Sequence, residues 1–206
     1  MQPIRATLAL VLTVGIIATG CGSHDIKAST SQASPSGTRS TKTPGSDIVG
    51  RWEREVTCQE LTHDLDTAGL GPLAPYAWLG QTSSNGQSSF GAGSPRPTRS
   101  HPCTGALRRQ HAHFFTSAGQ FGSLDWLGGQ VDDGQYAVAG DGTLKIGKVA
   151  FHYRVVHDTL RLAPVLTRAM VRKALARPKE FSDAGWAVSV AYPGHAWRRV
   201  PCGQWC

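Results

Sequence analysis

The sequence predicts a mainly β protein: a single antiparallel β-barrel of about eight strands with two short helices. Three observations carry that expectation. Short alternating runs follow one another from Arg109 to Ala163 with turn signals between them, the pattern of a meander. Glycine and proline number 24 and 12 in 206 residues, which favours turns over long helices. An open sheet of so many strands would expose its edges, and closure removes them. With 40% hydrophobic and 17% charged residues the composition is globular, which argues against a coiled coil, a multi-span membrane protein and a large multidomain enzyme.

In chain order, residues 1–20 read as a leader: Arg5 supplies a positive n-region and Ala6 to Ala18 is a nearly unbroken apolar run. That run is too short to span a bilayer. It ends at Ala18-Thr19-Gly20-Cys21, a tetrapeptide that resembles the lipobox of bacterial lipoproteins. The resemblance implies that Cys21 becomes the lipidated first residue of the mature chain, on the outer face of the bacterial cell membrane. An ordinary secretory leader with an incidental cysteine is the alternative. Residues 21–46 are rich in Ser, Thr, Gly and Pro without apolar periodicity and form a flexible tether. At about 5 to 6 Å × √n, its root-mean-square reach is roughly 25 to 30 Å.

Residues 47–206 form the barrel domain. Ile48, Gly50 and Trp52 share one face of an opening strand, with Arg51 and Glu53 on the other. Thr57-Cys58-Gln59-Glu60 is a capping box, and Cys58, Leu61, Leu65 and Ala68 then recur at helical spacing up to Gly69. From Gly71 to Ala106 the chain reads as a long Gly/Pro/Ser-rich loop, either a loose insertion or a lid carrying Tyr76 and Trp78 over a cavity. Six strands follow, over 109–116, 121–126, 135–139, 143–146, 149–156 and 159–163, with Asp132-Asp133-Gly134 read as a hairpin turn. A helix is expected over 167–176. Trp186 to Tyr192 and Ala196 to Val200 read as closing strands.

With Cys21 set aside, Cys58, Cys103, Cys202 and Cys206 remain in an exported chain, so two disulfides are expected. Three connectivities are open; sequence proximity favours Cys202 with Cys206 and hence Cys58 with Cys103. A zinc site is the rival, but no C-x-x-C pair occurs and export disfavours free thiolates.

Gly50-Arg51-Trp52 on the first strand resembles the G-x-W signature of lipocalins and related calycin barrels. The resemblance implies that Gly50 and Trp52 lie at the barrel's base, where Trp52 closes it and Arg198 or Arg199 from a late strand stacks on the ring. Residues 130–134 and 140–162 are also similar to uncharacterised lipocalin-like lipoproteins of actinobacteria, though the lipocalin T-D-Y motif is absent. The function this implies is binding of a small hydrophobic molecule or lipid. A cell-envelope interaction protein with a filled barrel is the alternative; large inward side chains at Phe151, Tyr153, Val155 and Phe114 or Phe115 would decide for it.

No catalytic or cofactor motif stands out: G-x-S-x-G, H-E-x-x-H, P-loop and Rossmann patterns are absent. His111 and His113 share a strand face, and His152 could complete a three-nitrogen metal site, but strand parity turns His152 away from Phe151 and Tyr153. Such a site would have to form outside the barrel; otherwise these histidines are solvated or bonded to neighbours. Arg168, Arg172, Lys173 and Arg177 form a basic stretch that would suit anionic headgroups or simply a solvated helix face. The net charge of +7 fits an anionic envelope surface, and no nucleic-acid motif accompanies it.

Overall fold

The computed structural model describes residues 45–78, 86–88, 90–94, 98, 100–180 and 182–206. The leader, the lipidation residue Cys21 and the tether up to residue 44 lie outside the described residues. The described chain forms a closed antiparallel barrel of eight strands in sequence order. They are β1 (Gly50–Val56), β2 (Arg109–Phe115), β3 (Gln120–Leu124), β4 (Gln130–Val138), β5 (Thr143–Ile146), β6 (Val149–Val156), β7 (Thr159–Pro164) and β8 (Trp197–Val200). This all-antiparallel closed barrel is compatible with a calycin-like fold.

Four short α-helices accompany it, not two: α1 (Cys58–Thr67), α2 (Ala74–Ala77), α3 (Arg168–Ala176) and α4 (Asp183–Ala191). Helix α1 starts on the expected capping box: Glu60 N–H donates to Thr57 Oγ1 at 3.2 Å and Thr57 N–H to Glu60 Oε2 at 3.1 Å. Gly69, at φ +72, turns the chain out.

Three local expectations are corrected. Residues 186–191, read as a strand, belong to α4. Its run of Val, Trp and Ala is buried on nearly every side, so neither a helical nor a strand period separates its faces. Ser182 supplies the helix start by accepting a bond from Gly185 N–H. Asp132, Asp133 and Gly134 lie within β4, and the turn before it is Asp125 to Gly129, where Asp125 Oδ1 accepts from Leu127 and Gly129 N–H at 2.8 and 2.9 Å. The chain from Gly71 to Trp78 is helical and packed: Leu73, Ala74, Ala77 and Trp78 join the core, so the lid residues Tyr76 and Trp78 stand on and beside α2 rather than on a loose loop.

The two ends of the barrel differ. At the end where β1 begins, residues 45–49 cross the opening, Trp52 is fully buried and its Nε1–H donates to Ile48 O at 2.7 Å. At the other end β1 leads into α1, β7 into α3, and α4 leads into β8. Both disulfides are formed: Cys58–Cys103 fastens α1 to the segment before β2, and Cys202–Cys206 closes a small C-terminal loop.

Candidate functional site

The lumen is occupied by the protein's own side chains. Register places Trp52 beside His113 and Arg199, Arg54 beside His111, and Gly50 beside Phe115, all on the inner face. Phe115, not Phe114, therefore points inward, together with Phe121, Leu144, Phe151, Leu160, Leu162 and Trp197. Helix α4 fills the helical end from within. The Trp186 ring meets Phe121 and Phe151 edge-on, and its Nε1–H donates to Asp132.

Both His111 and His113 lie on the inner face; His113 is fully buried and bonded to its neighbours, and His111 is half-buried. His113 Nε2 is 3.0 Å from Val190 O, and Nδ1 is 3.0 Å from Ser123 Oγ. A carbonyl only accepts, so Nε2 carries the proton and Nδ1 accepts from Ser123. Burial holds His111 down at about 4 and His113 well below the ordinary range. His152 is exposed on the outer face, so the three imidazoles do not converge.

At the base, the Arg199 guanidinium lies 4.1 Å from the centre of the Trp52 ring. It also donates to Val49 O and Asp47 O, each at 2.6 Å, which ties the crossing segment to the barrel. Gly50 is obligatory here: its φ is +142 and a Cβ would collide with Arg199. Arg198, its neighbour, points outward and is exposed.

A groove of about 1100 Å³ opens outside the lumen, between α1, α3 and the Pro193-Gly194-His195 turn. Ala68, Ala163, Pro164, Leu166 and Val171 supply an apolar wall, while Arg168 and Arg172 stand on one side. Beneath it lies a cluster that sequence reading did not single out. Arg54 Nη2 donates to Glu60 Oε1 at 2.8 Å; His195 places Nδ1 3.6 Å from Glu60 and Nε2 3.8 Å from Asp64. The Arg54 guanidinium also lies 5.0 Å from the centre of the Tyr192 ring. Asp64 Oδ2, Arg54 Nη1 and Tyr192 Oη are buried without a hydrogen-bond partner among the described residues.

Three local features build this cluster. Parity puts Arg54 on the inner face with Trp52, and helical spacing puts Asp64 beside Leu61 and Leu65 on the buried face of α1. Tyr192, the C-cap of α4 at φ +43, reverses the chain so that His195 reaches back over α1. Arg161 holds that turn by donating to Gly194 O at 2.6 Å. Burial raises the Asp64 carboxyl, against the pull of His195, His63 and Arg54; burial likewise raises the Tyr192 phenol. The arrangement can receive a ligand with an apolar body and a polar head, the head meeting His63, His195 and the two arginines. Among the described residues, no group of three or more His, Cys, Asp and Glu could hold a metal ion.

Comparison of the chain with protein-family models, with curated proteins and with solved structures returned no match.

Proposed function

We propose that this chain is a lipid-anchored binding protein on the outer face of a bacterial membrane, lipocalin-like in its barrel, that holds a small amphiphile in the external groove between α1 and α3. The observation that carries the reading is the contrast between a lumen packed with Trp52, Phe115, Phe151, Trp186 and Trp197 and a largely apolar groove of about 1100 Å³ beside it. Arg168 and Arg172 favour an anionic head, and the anchor through Cys21 would keep the groove near lipids bearing one. In the expected lipocalin arrangement cargo enters the barrel; here α4 occupies that volume, so a bound molecule has to lie outside it.

Titration with cis-parinaric acid, an anionic fluorescent fatty acid, tests the reading. Saturable fluorescence is expected, lost in Val171→Trp, which fills the groove, and weakened in Arg168→Glu/Arg172→Glu. Absence of saturable binding, or binding untouched by both variants, refutes it. The filled lumen would then favour the second reading, an envelope interaction protein without a ligand.

A further inference from the structure

A second recess, of about 500 Å³, lies on the outside of the barrel where the C-terminal loop folds over β3 and β4. Its making can be followed from the sequence. Phe114 points outward and would be an exposed aromatic, but its ring lies over Gly122 on the neighbouring strand, where any Cβ would overlap it. Trp205 then covers Phe114, the ring centres 5.3 Å apart and the planes 26° from parallel. The Cys202–Cys206 disulfide and a bond from Trp205 N–H to Cys202 O at 3.1 Å hold that indole in place.

Around this aromatic pair stand Gln120, Gln130, Gln135 and Gln204, with Asp133. Each amide offers two donors and an acceptor. Among the described residues, Gln130 donates through its amide to Asp132 O at 3.4 Å, and the side chains of Gln120, Gln135 and Gln204 bond to no other described residue. The wall contains no Lys or Arg. An anionic ligand therefore finds no counter-charge and faces the Asp133 carboxylate, and an apolar one would strip water from five polar side chains without replacing their bonds.

We propose that this recess binds a neutral saccharide. Hydroxyl groups, each donor and acceptor, match the amides and the Asp133 carboxylate, while the polarised C–H groups of a sugar ring suit the electron-rich face of an indole. The site is separate from the groove between α1 and α3 and shares no residue with it.

The test is NMR titration of the mature chain with maltopentaose and chitopentaose, with pentagalacturonate as the anionic control. Saturable shifts of the side-chain amides of Gln120, Gln135 and Gln204 are expected with at least one neutral sugar. Trp205→Ala and Gln130→Ala/Gln204→Ala should each weaken binding by about tenfold or more while the amide spectrum of the barrel shows the fold retained, and Trp205→Phe should restore most of it. No saturable shift with either neutral sugar, retention of affinity within about twofold in Trp205→Ala, or preference for pentagalacturonate overturns the proposal. Binding of cis-parinaric acid should be indifferent to these variants, so the two sites can fail independently.

Discussion

Trp52 is joined to three parts of the molecule: its indole N–H holds Ile48, its ring supports Arg199, and Arg199 in turn holds Asp47 and Val49. Truncation to alanine should cost about 3 to 5 kcal/mol, as for other large aromatic residues in cores. Arg199→Ala should cost less, about 0.5 to 2 kcal/mol, because its ring contact is partly solvated. The two losses should be non-additive, since the side chains touch. Denaturant melts of the two single variants and the double variant check this; a Trp52→Ala loss below about 0.5 kcal/mol would mean that the ring is no core plug. The choice between Arg198 and Arg199 was open in sequence because it depends on strand pairing. Trp52 opposite Arg199 puts that side chain inside and its neighbour outside.

At the scale of elements, α1 and α4 differ in how openly they declare themselves. Helix α1 has a capping box, an apolar stripe and a glycine stop, so its boundaries are readable. Helix α4 is enclosed by the barrel, α1 and α3, and a helix buried all round loses the amphipathic signature. The packed segment 71–78 was hidden in the same way, since its Gly and Pro residues read as loop. The Cys58–Cys103 disulfide ties α1 to the start of β2 across 45 residues. By loop-closure entropy, Cys58→Ala/Cys103→Ala should lower stability by about 4 kcal/mol. Chemical denaturation of that variant against the parent measures it, and a loss under about 1 kcal/mol would show that the denatured chain is already compact there.

For the whole molecule, the buried histidines make folding sensitive to mild acid. His111 sits at about 4 against an ordinary 6.5, and His113 is lowered as well, so the unfolded chain takes up these protons first. Stability from these groups is fully present above pH 6.5 and is lost as pH falls towards 4. Between pH 7 and pH 5 the expected loss is roughly 2 kcal/mol for His111, and His113 adds to it in the same direction. Asp64 and Asp132, raised by burial, oppose this trend. Denaturant melts across that range should show the decline, and His111→Gln/His113→Gln should flatten it whatever its absolute stability. The proposed membrane attachment is tested separately: Cys21→Ser should leave the protein unprocessed or released to the medium, and unchanged partitioning into detergent would overturn the proposed lipid anchor.

The sequence by itself determined the β class, the approximate strand count, α1, α3 and β8, because alternation, turn residues and caps are local physical signals. It also narrowed the cysteine pairing by proximity to the arrangement that the structure contains. Only the tertiary structure decided what fills the barrel. Whether Phe114 or Phe115 enters it depends on the register of β1 against β2, and whether Trp186 is strand or helix depends on the enclosure around it. The cluster of Arg54, Glu60, Asp64, Tyr192 and His195 is assembled from residues up to 141 positions apart, which closure of the barrel and the left-handed turn at Tyr192 bring together. Burial then desolvates these groups and moves their proton affinities, and burial is a property of the folded surroundings that no local run of residues encodes.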